Sequence, residues 1–204
     1  MFPWKWGIMQ LALGFLLFAI AQAVTVVGPG YPPMAVDGGT VVALLHVSAG
    51  SVSGIEVLQA DNPFGDAAKA ALSGWRFKDS DDGNVLVVFS FRAPTLYSTG
   101  DSTRHLSAAK PVTGLAYPKT VVEPAYPPTS QAEGSVVLRL NVNAEGSVSK
   151  VRIVKDLGDI TGACAAAARS WRFIPALDIK GISIPSEAYA VCVVRRPVLK
   201  LKLP

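Results

Sequence analysis

Between residues 40 and 47 the apolar side chains fall on alternate positions, Val41, Ala43, Leu45 and Val47, which predicts a strand with one face turned to a core. The same beat returns at Val136, Leu138, Leu140 and Val142, with Ser135, Val137, Arg139 and Asn141 on the opposite face. Each stretch runs into a short glycine-bearing turn, Ser48-Ala49-Gly50-Ser51 and Asn143-Ala144-Glu145-Gly146-Ser147. Second strands follow over residues 52–58 and 148–154, so each region opens with an antiparallel hairpin. The period then changes. Phe64, Ala67, Ala68, Ala71, Leu72 and Trp75 lie at helical spacing, and Ile160, Ala163, Cys164, Ala167, Ala168 and Trp171 repeat that spacing in register. Third strands are expected over residues 85–92 and 188–195, closed by Pro94 and Pro197.

The two regions repeat more than their pattern. Thr25-Val26-Val27-Gly28-Pro29-Gly30-Tyr31-Pro32-Pro33 matches Thr120-Val121-Val122-Glu123-Pro124-Ala125-Tyr126-Pro127-Pro128 at seven of nine positions, 95 residues apart. Trp75-Arg76-Phe77 matches Trp171-Arg172-Phe173 at 96, because the second copy has one extra turn residue. The expected fold class is therefore α+β: two tandem β-β-α-β modules, each a three-stranded antiparallel sheet with a helix packed on one face. The crossover rule places each third strand beside the first, at an edge. The predicted organisation is a signal peptide or short membrane anchor (1–23), a first repeat (24–93), a linker rich in Pro, Gly, Ser and Thr (94–119), and a second repeat with a basic tail (120–204). Each repeat alone is near the size at which a domain becomes marginally stable.

Composition narrows the function classes. A net charge of +4 with scattered basic residues excludes nucleic acid as the expected partner. The exception is the C-terminal run Arg195, Arg196, Lys200 and Lys202, which is either a solvated tail or a weak contact for anionic wall or membrane. Residues 7–20 are almost unbrokenly apolar, and Ala21-Gln22-Ala23 has the small-x-small form of a cleavage site. Export to the periplasm after cleavage at Ala23 is the expectation, and an inner-membrane protein held by one N-terminal anchor is the rival.

Catalysis is not expected. Two histidines, His46 and His105, are too few for most zinc sites, and no cofactor motif occurs. Asp101, Ser102 and His105 crowd the linker, and Gly50-Ser51-Val52-Ser53-Gly54 holds valine where a nucleophile elbow needs serine. His46, with Val42 and Leu44, lies on the strand face away from the helix, an apolar face that is expected to pack on something. Cys164 on the helix and Cys192 on the third strand both face inward, which predicts a helix-to-strand disulfide or a pair of buried free thiols. In each Trp-Arg-Phe triplet, Trp packs on the sheet and Arg sits where a cation favours the helix C-terminus; an anion contact is the rival reading.

The residues that carry this order resemble the TonB C-terminal domain family. The second copy has Tyr126-Pro127, Gly134-Ser135-Val136, Glu145-Gly146-Ser147-Val148, the alanines 165–168 and Trp171-Arg172-Phe173-Ile174-Pro175-Ala176. The first keeps Tyr31-Pro32, Gly39-Thr40-Val41 and Trp75-Arg76-Phe77, with Lys78-Asp79 where the family has x-Pro-Ala. The resemblance implies a periplasmic domain that binds outer-membrane transporters, or another envelope protein, by adding an extended peptide to an edge strand. That edge would be Ala188, Tyr189, Ala190, Val191, Cys192, Val193, Val194 and Arg195. By repeat it would also be Val85, Leu86, Val87, Val88, Phe89, Ser90, Phe91 and Arg92. Self-covered edges are the alternative, either by the alternating tail 198–203 or by the repeats pairing with each other. Residues 1–30 contain no histidine and no long proline-rich spacer precedes the first copy, so a binding module is expected rather than an energy transducer. The runner-up is a structural envelope module that self-associates or binds wall polymer, with no energy transduction.

Overall fold

The computed structural model describes residues 21–79, 81–94, 102–107 and 113–197. The first half contains β1 (Ala23–Thr25), β2 (Gly39–Ser48), β3 (Ser51–Ala60), α1 (Phe64–Leu72), β4 (Arg76–Phe77) and β5 (Gly83–Phe91). A short strand, β6 (Thr103–His105), lies in the expected linker. The second half contains β7 (Tyr117–Val122), β8 (Gly134–Val142), β9 (Val148–Lys155), α2 (Ile160–Arg169), β10 (Arg172–Ile174), β11 (Ala176–Leu177), β12 (Ser183–Ile184) and β13 (Ser186–Val194).

The hairpins, helices and third strands lie where periodicity puts them, but the architecture differs from the expectation. Two separate three-stranded modules do not form. The halves share one eight-stranded sheet, in the order β1-β4-β3-β2-β5-β13-β8-β9. Each third strand does lie beside its own first strand, β5 on β2 and β13 on β8, both antiparallel. Neither is an edge, because β5 and β13 also pair with each other in parallel, from Tyr189↔Val87 to Val193↔Phe91. The physical reason is visible in their composition. β5 is buried from Val85 to Phe91 and β13 from Ala188 to Val194, on both faces and without alternation. A strand apolar on both faces belongs in the middle of a sheet, where each face has a cover.

That pairing places the helices on opposite faces. Phe64, Ala68 and Leu72 of α1 share a core with Tyr189, Val191 and Val193 of β13. Ile160, Cys164 and Ala168 of α2 share the other core with Ala190, Cys192 and Val194, the alternate residues of the same strand. Each core therefore draws on both halves. The segment leading into each half closes the free face of the other. Tyr117 donates to Gln59 Oε1 (3.1 Å) and packs with Val42, Leu86 and Val88, so the apolar face opposite α1 is covered as expected. On the other side, Tyr189 donates to the Ala21 carbonyl (3.2 Å) and accepts from the Ala23 amide (2.8 Å). Two halves that are each marginal in size thus pool their apolar surface into two shared cores.

The same local bonds recur in both halves. Trp75 Nε1 donates to Val27 O (2.8 Å) and Trp171 Nε1 to Val122 O (2.9 Å), which straps each lead-in to its own helix end. Arg76 and Arg172 donate to carbonyls at the C-termini of α1 and α2, Ser73 O and Trp75 O in one half, Arg169 O and Trp171 O in the other. These contacts favour the structural reading of the Trp-Arg-Phe triplets. The Phe77 and Phe173 amides donate to Gly50 O and Gly146 O, both at 2.8 Å. The two turn glycines hold φ of +71° and +78°, and a Cβ on Gly146 would meet Phe173 O at 2.0 Å, so the turn and the approaching strand both need glycine.

Candidate binding edges and the seam between the halves

The expected peptide-binding residues are occupied. Ala188, Tyr189, Ala190, Val191, Cys192, Val193 and Val194 lie in β13, paired with β8 on one side, and the strand meets β5 on the other. Val85, Leu86, Val87, Val88, Phe89, Ser90 and Phe91 lie in β5 between β2 and β13. Arg92 continues the ladder by donating its amide to Val193 O (2.9 Å), and Arg195 extends beyond β13 to donate to Pro33 O (3.1 Å). Of the two ways the edge could cover itself, the repeats pair with each other; residues 198–203 lie outside the described residues. A row of amides already bonded within the sheet offers a peptide nothing without displacing a neighbouring strand.

The open edges are instead the second strands of the two hairpins. Among the described residues β3 pairs with β4 only at Ser51↔Arg76, and β9 pairs only with β8 apart from a single bridge at Ser147↔Arg172. Both carry bulges at equivalent places: Leu58 and Val154 are extra residues near one end, Ser53 and Ser149 near the other. Ser53 and Ser149 each donate a hydroxyl to the opposite strand, to His46 O (3.0 Å) and Asn141 O (3.1 Å). Bulges twist an edge and limit what can add to it. Between its two bulges β9 keeps four regular residues, Lys150, Val151, Arg152 and Ile153. Lys150 and Arg152 form no ion pair among the described residues, and Ile153 is 57% exposed. Beside them Arg139 is held by Glu187, which also accepts from Asn141 Nδ2.

A buried charge cluster closes the seam where β5 ends, and nothing in the local pattern announced it. Arg92 is 1% exposed; its Nε donates to Pro124 O (3.1 Å), its Nη1 to Ala93 O (2.7 Å), and its guanidinium lies 5.2 Å from the centre of the Tyr126 ring. Burial lowers its pKa, and the nearby Glu123 works in the opposite sense. The Glu123 side chain is equally buried and accepts from Arg104 Nε at 3.0 Å. Arg104 belongs to β6, which pairs with β7, so the cluster ties the connecting segment to both halves. The signal was in the repeat: Glu123 stands where the first copy has Gly28, and Glu123 Oε1 lies so close to Gly38 that a Cβ there would sit 2.6 Å away. Tyr31, in the same region, is pushed up to about 12 by burial and then by the Glu123 charge.

Cys164 and Cys192 are brought together as buried free thiols, joined by a hydrogen bond that, with burial, holds the Cys164 thiol far above its ordinary pKa. A Cys164 thiol held protonated is a poor nucleophile, and both thiols are fully buried in the core beneath α2. His46 is exposed and bonded to Asn84 (2.8 Å). Among the described residues no cluster of His, Cys, Asp and Glu could hold a metal, and no helix is long and apolar enough to cross a membrane.

No curated protein and no solved structure matches the chain. Residues 122–188, which run from the end of β7 through β8, β9 and α2 into β13, match the family described as Gram-negative bacterial TonB protein C-terminal.

Proposed function

We propose that the chain is a protein-binding component of the periplasmic side of the Gram-negative envelope, with no catalytic role. In this reading the first half is a diverged second copy of the family fold, and the two copies satisfy each other's third strands. The partner, an envelope protein such as an outer-membrane transporter, meets the open edge of β9 with an extended segment. The supporting observation is that β9 lies inside the family match and, among the described residues, forms a ladder with β8 alone, while Lys150 and Arg152 beside it form no ion pair. Four regular residues offer about four backbone hydrogen bonds at roughly 1 kcal/mol each, which after the cost of association predicts micromolar or weaker binding. Amide chemical shifts read the prediction directly. Titrating the protein with periplasmic N-terminal peptides of such transporters is expected to move residues 148–155 and to leave β5 and β13 unchanged. Binding by no peptide, or binding that displaces β13, overturns it.

The sealed third strands also favour a second reading, a structural module that works by self-association through its open edges. Glu56 on β3 is the counterpart of Arg152 on β9, so the two rims carry opposite charges at matching positions. That reading predicts dimers that grow with concentration in light scattering and dissolve in high salt.

A further inference from the structure

The chain contains two cysteines, and the fold brings those two to each other. They stand 28 residues apart on different elements, Cys164 on α2 and Cys192 on β13. Both are wholly buried in the same core, and one thiol is hydrogen-bonded to the other. The binding-edge reading makes no use of the pair.

The first half shows that the fold does not need sulfur at these places. The counterparts by repeat are Ala68 on α1 and Phe89 on β5, which share the other core. There a ring and a small side chain fill the space by packing alone. In the second half both are exchanged for cysteine, while the cross-strand neighbour stays a valine, Val41 beside Phe89 and Val136 beside Cys192. A single buried cysteine is an ordinary small core residue. Two that replace a packed pair and meet each other have a use that packing does not supply. The helix is also built to come near the sheet. Ala163, Ala165, Ala167 and Ala168 surround Cys164, and such small side chains let α2 lie low, as the short reach of a disulfide requires.

We propose that Cys164 and Cys192 are joined by a disulfide that staples α2 to β13. The inference rests on the periplasmic side of the proposed function, because exported chains meet the oxidants that form such bonds. It does not depend on which partner β9 meets. The oxidant is the disulfide of an exported thiol–disulfide oxidoreductase. The thiolate of one cysteine attacks that disulfide and expels one of its sulfurs as a thiolate, leaving a mixed disulfide. The other cysteine then attacks the sulfur of the first and releases the carrier as a dithiol. Two electrons pass from the pair to the carrier, and the two thiol protons end on the carrier's sulfurs. Burial sets the timing. The folded core admits no carrier and holds the Cys164 thiol protonated, so the exchange precedes the docking of α2 on the sheet. The bond falls on the strand that both halves share. β13 pairs with β5 and with β8 and contributes to both cores, so a covalent tie there restrains the seam between the halves.

The full chain, unfolded in reductant and refolded with oxidised glutathione or with dithiothreitol, tests the proposal. With glutathione the mass is expected to fall by about 2 Da, for two hydrogens lost, and neither cysteine is expected to take up iodoacetamide after denaturation. The oxidised chain is expected to melt about 10 °C above the reduced one. Cys192→Val is expected to melt at one temperature with and without reductant. Thiols that still alkylate, or glutathione retained on one cysteine as a mixed disulfide, overturn the proposal, because they mean that the two sulfurs do not reach each other. A disulfide that forms without raising the melting temperature overturns the staple. All of this is read on the chain alone, so failure here is distinct from failure of the peptide titration at β9.

Discussion

The middle of the sheet and its rims are built from equivalent strands of two similar halves, yet they treat hydrogen bonding in opposite ways. β5 and β13 pair without a register break along their shared length, whereas β3 and β9 are each interrupted by two bulges. The central strands are apolar on both faces; the rims expose Glu56 and Val57 on one side, Lys150, Arg152 and Ile153 on the other. A strand meant for the interior needs a continuous ladder and a cover on each face, while an edge needs protection from unwanted additions. The contrast teaches that this protein spends the third strand, the one its family resemblance marks for partners, on its own cohesion.

The hardest test of that cohesion is a charge at the centre. Val191 is fully buried in β13 within a core that also holds α1. Val191→Asp is expected to cost at least about 4 kcal/mol, as for an unpaired buried carboxylate. Because each core draws on both halves, calorimetry is expected to show both melting in one transition; a first half that survives at its original melting temperature would break the shared-core account. Next in size is the turn of the second hairpin. Gly146→Ala is expected to cost about 3 kcal/mol, and Gly50→Ala about 2, since positive φ is common to both but the clash with Phe173 O is closer than the 2.7 Å approach of Lys78 O. Equal losses in urea unfolding would show that backbone strain alone sets the cost.

How much of this was legible depended on range. Helix positions, both hairpins and the inward parity of Cys192 and Val194 follow from spacings of two and of three to four residues, which act within one element. The pairing of β5 with β13 joins residues about a hundred apart, and periodicity carries no register for it. Its trace was there all the same: residues 85–91 and 188–194 lack the alternation of β9, and a run without alternation marks a strand covered on both faces. The clamp of Arg92 and Glu123 left a fainter sign, the replacement of Gly28 by Glu123 at one of the two positions where the repeated nine-residue motif differs. The contacts of Ala21 and Gln22, with Tyr189, Lys78 and Asp81, were hidden behind a small-x-small pattern, because that pattern says nothing of what the residues touch after folding.

Smaller effects sharpen the comparison between the halves. Trp75→Phe and Trp171→Phe each remove one indole bond to a lead-in carbonyl, and each is expected to cost about 1–2 kcal/mol, nearly the same in the two halves. A marked inequality would mean that one strap carries more than its own half. Alkaline pH probes the lead-ins together. Burial raises the pKa of Tyr31, Tyr117 and Tyr189, with Tyr31 pushed up to about 12. A phenol whose folded pKa lies above its unfolded value of 10.0 stabilises the fold fully below that value and loses the contribution as pH rises through the folded one. Stability is therefore expected to be level up to about pH 10 and to fall from there towards pH 12, with phenolate absorbance from these tyrosines rising together with unfolding.

The smallest effect on stability is expected at the rim, and it separates a protective edge from a receptive one. Lys150 and Arg152 are exposed and make no ion pair among the described residues, so Lys150→Ala with Arg152→Ala is expected to change stability by less than about 0.5 kcal/mol. If these cations only guard the edge, removing them leaves an open row of amides beside the exposed Ile153, and the variant is expected to self-associate more readily than the parent. If they attract an acidic extended partner, the variant loses peptide binding instead, together with the salt dependence that goes with it. Light scattering and peptide titration on the same sample distinguish the two. The proposed function requires the second outcome, because a guarded edge leaves the protein with no backbone groups to offer.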